Sequence, residues 1–450
     1  MKKVEKAPFT GYQKFVIFIL AITQFTVILD FMVMSPLGDI MMKSLSLKPS
    51  QFGMAVSAYA FSAGISGLLT AGFADRFDRK RILLFFYAGF IIGTLCCGIV
   101  TTYPLLVAAR IVTGLFGGVL GSVAMAIIID LFDVQHRGRV MGFVQMGLGV
   151  SQVMGIPIGL YLANHLGWQS PFWLIAALSV CIFVFIMLKL QPVREHLKNN
   201  DNKNAFLHLW HTVQKKEYRI GFTATALLSI GGFMMMPFGS AFARNNLGIS
   251  KEQLPLLFMV GGCATLIVMP LVGKLSDKID RFKLFAIGCL WMMATVLVYT
   301  HLSVTPLWIV MIFNIAMMIG IMSRMVPASA IMTSVPEMKD RGAFMSINGS
   351  LQQIAGGIAA AVGGMIVIQK TKTSPLEHYD TLGYVVVSIT LLSIFMIYRV
   401  SEMIKKKVQT EQAVNMLPVV EEVINTGQIS LDTKHAMEIV MIAPDPEEKE

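Results

Sequence analysis

Two ionisable side chains lie far inside apolar stretches of the sequence, where a charge is costly. Asp30 is about 16 residues into the first apolar stretch, and Arg110 is about seven residues into the fourth. A charged side chain in a membrane-spanning segment normally faces a partner or water and marks a functional site. At 1.5 Å per residue the two side chains reach similar depths, close enough for contact if their helices adjoin. We therefore predict that Asp30 and Arg110 form a proton-coupling pair, in which the contact with Arg110 controls when Asp30 binds a proton.

Other polar side chains recur at helical spacing within the apolar stretches. Because residues three, four or seven positions apart share one face of a helix, these stripes could line a central cavity. Hydrogen bonding between neighbouring helices is the alternative for the hydroxyl and amide groups. Arg324 could be a cation that faces the substrate in the cavity or a residue of the cytoplasmic gate, and we favour the cavity. The predicted cavity residues are Thr26, Tyr59, Gln145, Gln152, Arg324, Asn348 and Gln352.

The elements that must position these residues are membrane-spanning helices. The chain has 450 residues, of which 55% are hydrophobic and 14% are charged, whereas soluble domains carry roughly 25% charged residues. Twelve apolar stretches are long enough to cross about 30 Å of hydrocarbon, and backbone in lipid must be helical to satisfy its hydrogen bonds. We predict spans at about 15–37, 52–73, 82–101, 104–130, 140–163, 171–190, 220–243, 254–274, 283–301, 306–333, 344–368 and 382–399.

The distribution of lysine and arginine predicts the orientation of the chain. When the connections are assigned alternately to the two sides, 27 basic residues lie on the side of both termini and six on the other side. Positive residues are enriched in cytoplasmic connections, so both termini are expected in the cytoplasm. The net charge of +10 is then a consequence of topology and does not indicate nucleic-acid binding.

The sequence repeats itself about its midpoint. The segment AGFADRFDRKR from Ala71 returns as GKLSDKIDRFK from Gly273 at an offset of 202 residues, and FMVMSPLG at Phe31 has a weaker echo, FMMMPFG, at Phe233. Such repeats are typical of transporters built from two related halves. We predict an N-terminal six-helix bundle (1–190), a cytoplasmic linker (191–218), a C-terminal six-helix bundle (219–400) and a cytoplasmic tail (401–450).

The loop AGFADRFDRK between the second and third spans resembles the signature loop of the major facilitator superfamily. RIVTGLFGGVLG in the fourth span is similar to that superfamily's fourth-helix pattern, and GLGVSQVMGIPIG in the fifth resembles the motif of its twelve-span drug/sugar–proton antiporter (efflux) families. The resemblance implies an all-α membrane protein of twelve transmembrane helices in two pseudo-symmetric six-helix bundles. Charged residues of the loop and its repeat could latch the halves together and release them on inward opening. These predicted cytoplasmic gate residues are Asp75, Arg76, Arg79, Asp277 and Arg281.

The same resemblance implies alternating access driven by an ion gradient. The function we expect is proton-coupled efflux of a small organic solute by a secondary active transporter in the cytoplasmic membrane, acting as a monomer. A proton- or sodium-coupled importer of the same fold is the alternative. A membrane-embedded enzyme would need His/Asp or metal constellations within the spans, which the sequence lacks, so no catalytic residue is assigned. There is no Walker loop and no metal-ligand spacing among the five cysteines, so we expect no cofactor and no metal.

The predicted topology can be checked with reporter tags. Tags inserted after Asn200 and at the C-terminus should report a cytoplasmic location, and a tag near Thr373 should report an external one, because these positions lie in connections on opposite sides. Protease protection of the tags in sealed vesicles would measure this. A cytoplasmic signal near Thr373 would contradict the arrangement of twelve spans.

Overall fold

The chain is helical along almost all of its described length. The computed structural model describes residues 9–71, 73, 76–194, 197 and 205–426. The α-helices, numbered in chain order, are α1 (Gly11–Ser44), α2 (Pro49–Ala71), α3 (Arg79–Ile99), α4 (Tyr103–Leu131), α5 (Val134–Val150), α6 (Ile156–Leu166), α7 (Ser170–Lys189), α8 (Ala205–Gln214), α9 (Lys216–Phe233), α10 (Gly239–Asn245), α11 (Leu254–Ser276), α12 (Arg281–Thr300), α13 (Leu307–Met332), α14 (Arg341–Ile366) and α15 (Tyr379–Thr426). A π-helical turn at Ser151–Gly155 joins α5 to α6, and a 3-10 turn at Met236–Phe238 lies between α9 and α10.

The described helices account for twelve membrane spans. Eleven helical stretches are long and apolar enough to cross a membrane, and α5–α6 and α9–α10 each count as one interrupted span. The remaining span is α14, which has 26 residues and is less apolar because it contains Ser346, Asn348, Gln352 and Gln353. It packs along α2 and α9 within the protein, where polar side chains are tolerated.

The twelve spans form two bundles of six helices. The first bundle contains α1 to α7, and the second contains α9 to α15. The bundles meet mainly where α2 packs along α14, where α1 contacts α10, and where the π-helical turn and α6 contact α11. We call the side at which α1 begins the terminal face and the other side the opposite face.

Matching capping residues begin the helices that follow the two repeated loops. The Asp78 side chain accepts a hydrogen bond from the Lys80 amide at the start of α3, and the Asp280 side chain accepts one from the Lys283 amide at the start of α12. Aspartate at such a position satisfies a backbone donor that the helix itself cannot pair. The repeat in the sequence is therefore also a repeat in how helices begin.

Proline determines the interruption of the fifth span. Pro157 lacks the amide hydrogen that an α-helix needs four residues after each carbonyl, and its ring crowds the preceding turn. The chain accommodates it with the π-helical turn at Ser151–Gly155 directly before it. Turns of this kind occur often at functional sites, and this one carries Gln152, a predicted cavity residue.

Glycines let α4 approach α2 closely. A Cβ atom added at Gly114 would lie 2.4 Å from the Tyr59 carbonyl oxygen, and one at Gly118 would lie 2.5 Å from the Ala63 Cα. Small residues of this kind drive helix packing in lipid, where apolar burial gives no advantage over contact with lipid tails. The glycines of α4 therefore set the distance at which Arg110 meets its neighbours.

Two helical segments lie outside the membrane spans that the sequence predicts. α8 forms within the segment predicted as a linker, and α15 continues from the last span to Thr426. A continuous α15 means that the beginning of the predicted tail is helical. Residues 427–450, the remainder of the predicted tail, lie outside the described residues.

Because α4 lies so close to α2, two glycine substitutions in α4 should differ greatly in their effect on the melting temperature. Gly114→Ala should lower the apparent melting temperature of the purified protein by several degrees, because overpacking costs about 1–3 kcal/mol and a backbone carbonyl cannot move aside. Gly121→Ala is the matched control, since its Cβ would meet only the Gln24 side chain at 3.6 Å. Equal melting temperatures for the two variants would show that this contact does not limit packing.

Candidate functional site

The Asp30 carboxylate and the Arg110 guanidinium form an ion pair sealed inside the first bundle. Arg110 Nη1 lies 2.8 Å from Asp30 Oδ2, and both side chains are 0% exposed. Thr94 on α3 donates a hydrogen bond of 3.2 Å to the other carboxylate oxygen. The structure thus brings together the two residues expected to handle a proton, and the pair joins α1, α3 and α4.

The guanidinium of Arg110 is only partly satisfied. Its Nε and Nη2 atoms have no hydrogen-bond partner among the described residues, while its Cζ lies 4.5 Å from the centre of the Tyr59 ring. Removing an ion from water costs several kcal/mol, which a buried pair recovers only with good geometry and additional hydrogen bonds. The pair is therefore held by one ionic contact, one hydroxyl and one aromatic face, and the remaining donors of Arg110 are available to another acceptor.

Phe31 connects this pair to the space between the bundles. Its ring centre lies 5.3 Å from that of Tyr59 in the first bundle and 6.1 Å from that of Phe233 in the second. Beside these rings is an apolar cavity of about 10 Å³, which is enough for roughly one water molecule. In this conformation the cavity cannot contain an organic solute.

A polar cluster closes the bundles against each other at the opposite face. We call it the Asp39 gate, and it consists of Asp39 and Lys43 on α1 and Arg244 and Asn245 on α10. Lys43 Nζ and Arg244 Nε donate to Asp39 Oδ2 over 2.8 and 3.2 Å, and Asn245 Nδ2 donates to Oδ1 over 2.7 Å. Asp39 is 2% exposed. Charge-assisted hydrogen bonds of this length are among the stronger polar contacts in proteins, so the cluster stabilises the closed state of this face.

Closer to the middle of the membrane, α1 is also joined to the second bundle by hydrogen bonds. The Ser35 hydroxyl donates to the Met236 carbonyl oxygen, and the Ser240 hydroxyl donates to the Ser35 carbonyl oxygen over 2.7 Å. These contacts join residues 201 and 205 positions apart, close to the offset of the repeat. Residues related by a two-fold axis touch each other only near that axis, so α1 and α10 meet beside it.

The Asp39 gate was not predicted from the sequence. Its signal was the echo between FMVMSPLG at Phe31 and FMMMPFG at Phe233, which marks segments that are equivalent by symmetry. Taking that echo as a contact would have placed Asp39 against Ser240, one helical turn before Arg244.

At the terminal face, the first repeated loop forms a network within its own half. Arg79 Nε donates to Asp130 Oδ2 over 3.0 Å, and Asp78 accepts a hydrogen bond of 2.8 Å from Arg194. Partial burial would raise the pKa of Asp78, but the hydrogen bonds from Arg194 and two backbone amides outweigh it and hold that pKa below its usual value. Of the predicted gate residues here, Arg76 is exposed, and Asp75 lies outside the described residues.

The second repeated loop is more exposed. Asp277 and Arg281 both lie at the surface, and Arg281 Nη1 is 3.5 Å from the Ala330 carbonyl oxygen of the same bundle. Asp280 lies 3.7 Å from Lys405 on α15. The described contacts of both repeated loops thus stay within one half.

The polar contacts between the halves are concentrated at one side of the protein. Those that join described residues of the two bundles include the Asp39 gate, the Ser35 and Ser240 pairs, and the bond from Ser57 to the Gly357 carbonyl oxygen. They lie in the half of the membrane nearer the opposite face. The described conformation is therefore closed at the opposite face.

A further network ties α8 to the second bundle. The Asp340 carboxylate accepts hydrogen bonds of 2.5 Å from Lys215 and 2.9 Å from Tyr218, and His208 Nε2 lies 3.0 Å away. Burial would raise the pKa of Asp340, but these hydrogen bonds outweigh it and lower that pKa well below its usual value. The ionised carboxylate thus links α8 and the start of α9 to the start of α14. Sequence reasoning missed this cluster because its members come from three separate segments.

One predicted cavity residue is placed elsewhere, and others lie near the interface. Thr26 is buried inside the first bundle, and its hydroxyl lies 3.0 Å from the Tyr87 hydroxyl of α3. Tyr59 covers Arg110. Gln152 lies in the π-helical turn, and its backbone packs against Gly262 of the second bundle.

The remaining predicted cavity residues lie on α5, α13 and α14. Gln145 and Gln352 are exposed, and Asn348 accepts a hydrogen bond of 2.7 Å from Thr225 in its own bundle. Arg324 is 2% exposed and lies inside the second bundle. The structure therefore does not bring the seven predicted cavity residues together in one site.

Comparison with known sequences identifies relatives of this chain. The profile of the Major Facilitator Superfamily matches residues 20–360 and, in an overlapping match, 221–431. The uncharacterized MFS-type transporter YbcL of Bacillus subtilis (strain 168) is 24% identical over 382 residues, which cover 84% of this chain and 95% of the relative. A probable sugar efflux transporter of Helicobacter pylori (strain ATCC 700392 / 26695) is 24% identical over 277 residues, covering 60% of this chain and 69% of the relative.

Comparison with solved structures identifies the fold. The crystal structure of a D-xylose-proton symporter superimposes with a TM-score of 0.73 at 16% sequence identity, covering 86% of this chain and 98% of the symporter. Agreement over nearly the whole of both chains confirms the arrangement of twelve helices in two six-helix bundles that the sequence predicted. The similar proteins are transporters and not enzymes.

Weakening the Asp39 gate should open the opposite face. Asp39→Asn removes the ion pair with Arg244 that joins α1 to α10, and it leaves Lys43 of α1 without its counter-charge. In a cysteine-free background carrying Ser35→Cys, we expect Asp39→Asn to increase several-fold the rate at which a membrane-impermeant maleimide added at the opposite face labels the introduced thiol.

The control is Glu252→Gln, which neutralises an exposed carboxylate at the same face; its one ion pair with a described residue, Lys251, is 3.9 Å long and solvent-exposed. Such a pair contributes little, so labelling should not change. If Asp39→Asn and Glu252→Gln label at the same rate, the cluster does not control access.

Proposed function

The chain belongs to the major facilitator superfamily, and we propose that it is a secondary active transporter that exports a small organic solute across the cytoplasmic membrane in exchange for protons. The single observation that carries the proposal is the buried ion pair of Asp30 and Arg110, with both side chains 0% exposed. A charge pair without access to water is costly to maintain, and its position beside the interface of the halves suits a group that binds a proton during the transport cycle.

The proton cycle follows from electrostatics. While Asp30 contacts Arg110, the guanidinium favours the ionised carboxylate. If α1 moves away from α4, the isolated carboxylate lies in apolar surroundings, which favour its protonated form. Protonation of Asp30 then depends on the conformation of the first bundle, which is what coupling to a proton gradient requires.

The Asp39 gate supplies the link to access. Asp39 and Asp30 lie on the same helix, nine residues or about 14 Å apart. Opening the opposite face breaks the contacts of α1 with α10 and frees α1 to shift relative to α4. A proton would enter from the opposite face in that state and leave toward the terminal face after closure, while the solute moves the other way.

The sidedness of the cycle rests on the distribution of charge. The terminal face carries 27 basic residues in its connections against six at the opposite face, so the terminal face is the cytoplasmic one and both termini are cytoplasmic. Closure at the opposite face then corresponds to a state that receives solute from the cytoplasm. The repeated loops with Asp75, Arg79 and their counterparts Asp277 and Arg281 would close the cytoplasmic side in the other state.

The relatives support export of an organic solute. One is named a probable sugar efflux transporter, and a structure of the same fold is that of a D-xylose-proton symporter. Neither name fixes the solute or the direction for this chain. Because the two bundles of one chain enclose the pathway, we propose that a monomer is sufficient.

Proton coupling is tested with Asp30→Asn in proteoliposomes, using a solute identified by a thermal-shift screen of the purified protein. Wild-type protein should move the solute against its gradient when a pH difference is imposed, and Asp30→Asn should lose this while retaining exchange of solute at equal pH. Asp133→Asn is the matched control, because Asp133 is exposed in the same bundle and its side chain does not cap α5.

A double variant separates coupling from structural neutralisation. Asp30→Asn leaves Arg110 buried without its counter-charge, which can cost about 3–5 kcal/mol, whereas Asp30→Asn with Arg110→Gln removes both charges and should recover much of the melting temperature without recovering coupling. Coupling that persists in Asp30→Asn with normal pH dependence would disprove the proposal. Solute that moves in the same direction as the protons, and not opposite to them, would instead identify an importer.

A further inference from the structure

Arg324 is a buried cation without a counter-ion among the described residues. It is 2% exposed, its Nη2 donates to the Leu228 carbonyl oxygen over 3.1 Å, and its Nη1 lies 3.5 Å from the Thr390 hydroxyl. Its Nε atom has no hydrogen-bond partner there. A guanidinium has five donors, and neutral acceptors compensate its charge poorly in an apolar bundle.

The first bundle shows what is missing. The repeat places Gly232 of α9 at the position of Asp30 in α1, an offset of 202 residues. A Cβ atom added at Gly232 would lie 3.1 Å from Arg324 Nη2. Each bundle therefore has an arginine facing the same position of its first helix, but in the second bundle this position has no carboxylate.

The residue that Arg324 faces, Gly232, lies next to the central space. Gly232 is exposed, and Phe233, the next residue, lines the small cavity between the halves. α9 ends at Phe233, before the 3-10 turn, so the helix is interrupted directly beside the arginine. Because Gly232 has no side chain, nothing on this residue covers Arg324 Nη2, which an added Cβ would approach to 3.1 Å.

We propose that Arg324 and the backbone at Gly232 form a subsite for the anionic group of the transported solute, which is a small organic molecule with one carboxylate or phosphate group. The anion takes the place in the second bundle that the Asp30 carboxylate takes in the first. This assignment rests on the proposed function only in identifying the ligand as the transported solute. Binding of the anion requires neither a proton gradient nor Asp30.

The test compares charged and neutral probes that share one scaffold. Dissociation constants of the purified protein are measured by calorimetry for D-glucuronate, D-glucose 6-phosphate and D-glucose, with thermal shifts as a second readout. We expect at least one anionic probe to bind the wild-type protein more tightly than D-glucose. Arg324→Gln should weaken that binding by at least about tenfold, since it removes a charge-assisted contact, and Arg324→Lys should have an intermediate effect.

A matched pair at Gly232 tests the missing carboxylate directly. Gly232→Asp supplies an internal anion, so it should melt at a higher temperature than Gly232→Asn, which has the same size without the charge. It should also lose binding of the anionic probe. If the aspartate variant is no more stable than the asparagine variant, the guanidinium does not lack an anion and the proposal is wrong.

The remaining outcomes are equally decisive. The proposal is overturned if neither anionic probe binds more tightly than D-glucose, or if Arg324→Gln binds the anionic probe as well as the wild-type protein does. If anion binding depends on Arg324 but no proton-driven transport occurs, the proposed function fails and the subsite remains. If Asp30→Asn abolishes coupling while the probes bind independently of Arg324, the subsite fails and the proposed function remains.

Discussion

The packing of the first bundle depends on keeping two opposite charges together where water cannot reach them. Asp30 and Arg110 are each fully buried, and either one alone would carry a penalty of several kcal/mol. Contact over 2.8 Å requires α4 to lie close to α1 and α2, and Gly114 and Gly118 make that approach possible. Thr94 fixes the carboxylate from α3, and the Tyr59 ring covers the guanidinium. The packing of these helices thus sets the distance between the two charges, so a change in packing changes the ion pair.

The pseudo-two-fold symmetry explains where the halves touch, and its failures explain where they differ. Ser35, Asp39 and their partners on α10 meet because equivalent segments approach the axis together. The two helices nonetheless have different forms: α1 is continuous through Pro36, whereas α9 ends at Phe233 and resumes after a 3-10 turn. The carboxylate is present in only one half, so the two bundles are suited to different tasks.

Much of this arrangement could be predicted from the sequence, for a physical reason. Membrane spans are long apolar runs whose backbone must be helical, so their number and approximate bounds follow from composition. Asp30 and Arg110 were recognisable because charges in apolar runs are rare. Three-dimensional placement was harder. Thr26 shares a helix face with Asp30, yet that face points into the bundle toward Tyr87, because periodicity identifies a face without saying what it meets.

The features that sequence reasoning missed depend on contacts between distant segments. The bonds of Asp39 to Asn245 and of Asp340 to Tyr218 join residues separated by more than 100 positions, so neither cluster forms a local pattern in the sequence. The break after Phe233 was also not predicted from the sequence. The run of apolar residues continues through it, and only Pro237, which disfavours a helix in the turn before it, indicates an interruption. Some of these contacts can be predicted if the two copies of an internal repeat are expected to touch each other near the two-fold axis.

The position of the gate and the ion pair on one helix suggests how the proposed coupling would work mechanically. Asp39 fixes the outer part of α1 to the second bundle, while Asp30 fixes its middle to α3 and α4. If the bundles rock apart at the opposite face, the contacts of Asp39 with α10 must break, because they join the two bundles, whereas the contact of Asp30 with Arg110 lies within one. Opening would thus leave α1 held only by the first bundle, where the Nε and Nη2 atoms of Arg110 have no hydrogen-bond partner among the described residues. In the proposed cycle, those atoms are positions at which Arg110 can bind another acceptor when Asp30 moves away.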